Sequence, residues 1–205
     1  MKITVFGASG STGQEIVRQG LALGHTVTAF VRDPARLALE DPSLRMVVGD
    51  ALDPAAVVRA IRGQDAVIVS LGSRERNNPR IRTTGTANVI QALEAQGRGR
   101  LVVISAAGTG DSYDQPLFFK LLVKTLLSDV YADHERQEAH VRASDLAWVI
   151  IRPAGLTDGP PTAEIETALP GVTLQGGRIR HANLARFALR QLSDDRFLRQ
   201  AVSVA

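Results

Sequence analysis

Short apolar runs alternate with stretches of helical period from the start of the chain to about residue 150. Ile3 to Phe6 is followed by helix-period sequence over Gln14 to Leu23, then by Thr26 to Val31 and a short helical stretch from Pro34 to Leu39. Arg45 to Val48, Pro54 to Ile61, Ala66 to Ser70, Thr86 to Gln96, Arg100 to Ser105 and Trp148 to Ile151 continue the alternation, with helical sequence over Phe118 to Ala143. Six buried strands are predicted. Two runs, Ala66-Val67-Ile68-Val69 and Leu101-Val102-Val103-Ile104, are apolar at every position, as a parallel strand covered by helices on both faces requires. The order of elements predicts an α/β fold with a doubly wound parallel sheet.

After Ile151 the texture changes to Gly159-Pro160-Pro161, Pro170-Gly171 and Gly176-Gly177. Residues from about 152 to 205 are read as a small substrate-side cap of loops, short strands and one helix, about Asn183 to Leu192, with Ala201 to Ala205 as a final strand. No linker or repeat interrupts the chain, so residues 1 to 205 are expected to form a single domain.

Composition narrows the function classes. With 44% hydrophobic and 22% charged residues the chain can close a core, and no apolar run reaches the length of a spanning helix. The absence of cysteine excludes disulfides, a thiolate nucleophile and cysteine-held metal. No signal-peptide pattern precedes Lys2-Ile3-Thr4-Val5-Phe6, so a cytoplasmic protein without a membrane is expected. Net charge is only +3, and nearly all the basic residues are arginine. Discrete anion sites are expected rather than nucleic-acid binding. The protein is read as a monomer or weak homodimer acting on a small molecule.

The most specific motif is Gly7-Ala8-Ser9-Gly10-Ser11-Thr12-Gly13, which follows the first strand and opens a helix near Ser11. Glycines at this spacing permit a tight turn and close backbone approach to a pyrophosphate, whose charge rests at the positive end of the helix. Ser9 and Thr12 add hydroxyls. At the end of the second strand an acid would bind a ribose 2′-hydroxyl and an arginine a 2′-phosphate. The text there is Val31-Arg32-Asp33-Pro34-Ala35-Arg36. Arg32, with Arg36 near the start of the next helix, favours NADP (NADPH); the rival reading gives the ribose to Asp33.

These residues resemble the atypical short-chain dehydrogenases/reductases, an NAD(P)-binding Rossmann family, and within it the biliverdin-IXβ reductase/flavin reductase branch with its NmrA-like relatives. The likeness extends through Val48-Gly49-Asp50, Gly63-Gln64-Asp65-Ala66-Val67-Ile68-Val69, Leu71-Gly72-Ser73-Arg74, Ser105-Ala106, Asp133-His134 and Arg142-Ala143-Ser144. It implies that Asp50 and Ala51 meet the adenine, and that Leu71, Gly72 and Arg74 line the adenosine and phosphate side. It also implies that Ser105 stands beside the nicotinamide and that Pro153 and Ala154 border its ring. The turn-cap reading of Asp50 stays open beside this one. The chain departs from the wider family at the Tyr-x-x-x-Lys pair, since Tyr131 is followed four residues later by Glu135. The histidine that follows the sixth strand in biliverdin-IXβ reductases falls at Gly155, which argues against a bilin.

His134 is a candidate proton donor near an ordinary pKa of about 6.5, or a solvent-facing helix residue. His134, Glu135, Glu138 and His140 lack metal-site spacing, and His25 and His181 are given no role. Arg74, Arg76, Arg80 and Arg82 are read as a loop cluster able to attract an anion, and Arg152 as either a ligand contact or the partner of a buried acid. Tyr113, Leu117, Phe118, Phe119, Leu121 and Leu122 are read as either a wall for a flat ring or plain core. The reading that follows is an NADPH-dependent oxidoreductase with Ser105 and His134 catalytic, passing hydride to a flat acceptor such as FMN or another flavin, with a bilin or quinone as further candidates. A non-catalytic NADP-binding redox sensor and a sugar-nucleotide epimerase or dehydratase are the alternatives.

Overall fold

The computed structural model describes residues 1–72, 80–112, 128–162 and 164–205. Six strands come in the predicted order: β1 (Lys2–Phe6), β2 (Thr26–Val31), β3 (Leu44–Val48), β4 (Ala66–Val69), β5 (Arg100–Ile104) and β6 (Ala147–Pro153). They lie parallel in the order β3-β2-β1-β4-β5-β6. Strand order therefore reverses between β1 and β4, and the crevice beyond their carboxyl ends is where such a sheet binds its ligand.

Helices α1 (Ser11–Ala22), α2 (Pro54–Ile61), α3 (Ile81–Gln96) and α4 (Ser128–Ala143) alternate with the strands. Asp53 starts α2 by accepting a hydrogen bond from Ala55 N at 2.9 Å, with Pro54 at the first helical position. α3 stops at Gly97 in the left-handed conformation (φ 73°). It begins five residues earlier than its periodicity indicates. Its first turn, Ile81-Arg82-Thr83-Thr84, is polar, and what starts it comes from another helix, as shown below.

Side chains alternate between two cores, one on each face of the sheet. Ile3, Val5, Val27, Ala29, Ile68, Val102, Val149 and Ile151 pack with Ile16 and Val17 of α1. Phe6, Phe30, Val67, Val69, Leu101, Val103 and Ile150 pack with Val57, Val89, Leu93 and Val141 of α2, α3 and α4. Successive residues of one strand serve opposite cores, which explains why the central strands are apolar throughout.

Three expectations need correction. β3 is not fully buried: it is the sheet edge with one neighbour, and Val48 is 56% exposed. Pro34 to Leu39 is not a helix but a single tight turn over Pro34–Arg36, capped by Asp33. The last fifty or so residues are also more than a cap. Their final strand (Gln200–Val204) pairs in parallel with β6 and carries a two-residue antiparallel strand (Thr167–Ala168) on its other side. These are β10 and β8, while β7 (Gly155–Thr157) and β9 (Arg178–Arg180) form a separate parallel pair. Helix α5 (His181–Arg190) buries Leu184, Ala185 and Ala188 in the same core as Ile16 and Val17. The C-terminal segment therefore completes the sheet and one helical layer. The helical reading of 118–127 lies outside the described residues.

Backbone fit around the glycine loop is strict. A Cβ on Gly7 (φ 78°) would stand 2.2 Å from Ser70 O, and one on Gly13 would stand 2.1 Å from Gly7 O. A Cβ on Gly10 would meet only Gly7 O, at 3.4 Å. Gly13→Ala is accordingly expected to destabilise the fold by roughly 3 kcal/mol or more, whereas Gly10→Ala should stay within about 1 kcal/mol of the parent. Urea unfolding of both variants measures the difference.

Candidate functional site

A cavity of ≈ 930 Å³ opens over the carboxyl ends of the central strands. Gly7, Ser9, Gly10, Ser11 and Thr12 form one wall, Arg32 and Arg36 another, and Asp50, Ala51, Leu71 and Gly72 line the stretch between β3 and α3. Ser105, Pro153 and Ala154 close the far end. Gly13 is not on the cavity wall, and its missing side chain lets α1 start against the Gly7 carbonyl. Arg74, with Arg76, the aromatic and leucine residues of 113–122 and the rest of that segment, lies outside the described residues.

The glycine loop heads α1 with backbone donors. Gly10 is the cap residue of α1 and makes no side-chain cap, so the amides of Ser11, Thr12 and Gly13 head the helix without intrahelical acceptors. Gln14 Nε2 donates to Ser9 O at 3.2 Å and to Arg36 O at 3.1 Å, tying the Arg36 turn to the loop. Asp33 Oδ1 is taken by Ala35 N at 3.0 Å, and Asp33 is not on the cavity wall among the described residues. It caps the turn, and Arg32 and Arg36 line the cavity beside it. Asp50 Oδ1 accepts from Leu52 N at 3.0 Å, as a turn cap does, and the residue lines the cavity. His181, unassigned in the sequence, reaches the loop from the start of α5, its Nδ1 2.7 Å from Thr12 Oγ1.

The far end is built by one face of α4. Asp133, His134, Gln137 and Glu138 recur at helical spacing and are all buried. Asp133 starts α3 from outside: its carboxylate accepts from Arg82 N at 3.2 Å and from Thr83 N at 3.0 Å, filling the place of an N-cap side chain that Arg80 does not supply. Arg82 is consequently no loop residue; it sits buried in the first turn of α3, 3.4 Å from Asp133 Oδ2, and lines the cavity. Glu138 is gripped by Arg152, with Nε to Oε1 at 2.9 Å and Nη2 to Oε2 at 2.6 Å. Arg152 Nη2 also meets Asp111 Oδ1 at 2.6 Å. Arg152 is thus the partner of the buried Glu138 and of the exposed Asp111. Its guanidinium pKa is raised: desolvation by burial works to lower it, but the hydrogen bonds and charges of Glu138 and Asp111 outweigh that penalty. Ser105 Oγ donates to Glu138 Oε1 at 2.7 Å.

His134 is neither solvent-facing nor near an ordinary pKa. It is 6% exposed, and burial, with the nearby Arg82 charge second, pushes its pKa down to about 4. The imidazole is neutral at physiological pH, so it holds no proton to spare as an imidazolium acid. Its Nδ1 lies 3.3 Å from Gln137 Oε1 and 3.4 Å from Ser105 Oγ. Tyr131 lines the cavity and donates its hydroxyl to Ala107 O at 3.1 Å, with the exposed Glu135 where a lysine would activate it. No group of metal-ligating side chains occurs among the described residues, and no described helix is long and apolar enough to cross a membrane.

Comparison with known proteins agrees with this geometry. Residues 7–195 match a family model described as NAD(P)H-binding. The chain is 32% identical to an uncharacterised chloroplastic protein of Arabidopsis thaliana, over 93% of this chain and 71% of that one. It is 35% identical to the 3-diazoavenalumate denitrifying reductase of a Streptomyces species, over 79% of this chain and 58% of that one. Among solved structures, a short-chain dehydrogenase/reductase of Veillonella parvula in complex with NADP superposes with a TM-score of 0.84 at 19% identity, over 100% and 94% of the two chains. An anaerobilin reductase of Escherichia coli O157:H7 gives 0.82 at 22%, over 100% and 96%. A putative NADH-flavin reductase of Streptococcus pneumoniae gives 0.79 at 22%, over 100% and 98%. At these identities the structural likeness establishes the fold.

The state of His134 has a measurable consequence. Its pKa is about 4 in the folded protein, against about 6.5 in an unfolded chain. Above that unfolded value it is neutral in both states and stability is full. As pH falls below it the unfolded chain takes up a proton that the folded protein refuses, and stability is lost until the folded pKa is reached. Between pH near 7 and pH near 5 the parent should lose about 2 kcal/mol more than His134→Gln, read by urea unfolding at the two pH values.

Proposed function

The chain belongs to the NAD(P)H-binding family, and from that premise we propose that it is an NADPH-dependent reductase that passes hydride to a flat acceptor, with a flavin first and a bilin or quinone next. The observation that carries this reading is the shape of the one continuous cavity. It runs from two arginines, past an uncapped helix N-terminus, to a buried serine and a neutral histidine. The residues fit a dinucleotide. Gly10 keeps open the space a pyrophosphate needs, the amides of Ser11 to Gly13 point at it, and Arg32 and Arg36 stand where a 2′-phosphate falls. Asp50, Ala51, Leu71 and Gly72 would hold the adenosine, and Pro153 and Ala154 the nicotinamide ring.

When bound, the dihydronicotinamide supplies a hydride, that is two electrons with one proton, and leaves as NADP⁺. The chain has to position that ring, since no protonated acid stands at the far end among the described residues. Tyr131 lacks its lysine, and His134 is neutral. A ketone would need a proton delivered to its oxygen. A flat conjugated acceptor spreads the added electron pair over its rings and takes its proton from water. That asymmetry favours the conjugated acceptor, and the Streptomyces reductase and the flavin and bilin reductase folds described above lend support by analogy.

Purified protein mixed with NADPH and FMN, riboflavin, a quinone or a bilin should oxidise NADPH with at least one of them. Tight nucleotide binding without turnover of any acceptor would favour the redox-sensor reading instead. Arg32→Ala should weaken NADPH binding by about 10- to 100-fold, as loss of a charge-assisted contact predicts, and leave NADH nearly unchanged. Equal effects on both nucleotides would place the 2′-phosphate elsewhere. Ser105→Ala should lower turnover while nucleotide affinity stays close to the parent's.

A further inference from the structure

The hydroxyl proton of Ser105 at the far end of the cavity is already spoken for. Ser105 has one hydroxyl proton, and it goes to Glu138 Oε1 at 2.7 Å. Glu138 is held on the other side by both Arg152 contacts, at 2.9 and 2.6 Å, and Ser105, Glu138 and Arg152 are 5%, 3% and 1% exposed. A carboxylate fixed in this way only accepts, so Ser105 cannot turn its proton toward the cavity without breaking a buried charge-assisted bond. What Ser105 offers the cavity is a lone pair.

The same polarity holds at His134. Gln137 Nε2 donates to Thr86 Oγ1 at 2.8 Å, with Oε1 facing His134 Nδ1 at 3.3 Å. An amide oxygen only accepts, so the imidazole hydrogen is on Nδ1 and Nε2 carries the free lone pair. The ring is neutral, and His134 is part of the cavity wall. Nε2 has no hydrogen-bond partner among the described residues. Arg82, on the first turn of α3, is the charged donor on that wall.

We propose that Ser105 and His134 form a recognition edge made of hydrogen-bond acceptors, fixed by Glu138 as a positioning residue. Such an edge takes an electron acceptor whose own edge carries an N–H beside a carbonyl, as a cyclic imide or lactam does. The N–H meets the two lone pairs and the carbonyl meets Arg82. This rests on the reductase reading and narrows its acceptor: a quinone has no N–H to offer.

The test uses lumiflavin and its N3-methyl derivative, which differ by one donor, with binding to the NADP⁺-loaded protein read by flavin fluorescence and turnover read as NADPH oxidation. The parent protein should bind lumiflavin at least about 10-fold more tightly than the methylated form. In Glu138→Gln, Arg152 Nη2 keeps the amide oxygen at the Oε2 position and Arg152 Nε loses its acceptor, so the amide nitrogen faces Ser105, whose hydroxyl reverses into the cavity. The preference for the N–H form should then disappear, although nucleotide binding persists. Should that variant not fold, Ser105→Ala, which leaves the Glu138–Arg152 pair intact, should reduce the same preference. Equal affinity for the two flavins in the parent protein, or an unchanged preference in both variants, would overturn the proposal while leaving the reductase reading in place. Failure to bind either flavin, with every other acceptor also inert, would remove both.

Discussion

The carbonyl of Gly7 occupies the space that any side chain at position 13 would need, and the carbonyl of Ser70 occupies the space beside Gly7 itself. These two contacts press the end of β1 against the start of α1 and the end of β4. Because strand order reverses between β1 and β4, the helix N-terminus is delivered to the one crevice where the sheet leaves room for a ligand. Gly10 then leaves that N-terminus without a cap. The whole nucleotide end follows from the approach: Gln14 bridges the loop to the Arg36 turn, and His181 reaches the loop at Thr12 from a helix that packs on α1.

The opposite end of the cavity depends on buried charge. Glu138 and Arg152 lie inside the protein, where each alone would be costly. Together with Ser105 and Asp111 they satisfy each other. Asp133 does comparable work a turn earlier on α4, starting α3 while balancing Arg82. One polar face of one helix thus sets the start of its neighbour and the direction of the serine hydroxyl at the end of β5.

Much of this architecture is legible in the sequence because it rests on local chemistry. Apolar runs, turn residues and caps are short-range signals, and they place β1, β2, β4, β5 and β6 within a residue or two. The third strand reads as apolar but is an edge, which no local pattern records. The polar first turn of α3 hides a helix start because its cap comes from Asp133, fifty residues on. The spacing Asp133, His134, Gln137, Glu138 did carry a signal: a helical face that is polar on the side where the sheet must lie.

By itself, then, the sequence determined the doubly wound sheet, the glycine loop and the arginines at the end of β2, since each depends on residues within about ten positions of one another. Only the tertiary structure decided which of the charged residues are spent on each other. Asp33 was taken by a turn, Arg152 by Glu138 and Asp111, and Arg82 by Asp133, while His134 was stripped of its proton by burial. Hydrogen-bond polarity and pKa are set by partners brought together from distant parts of the chain and by the water they exclude. Those quantities exist only once the chain has closed around them.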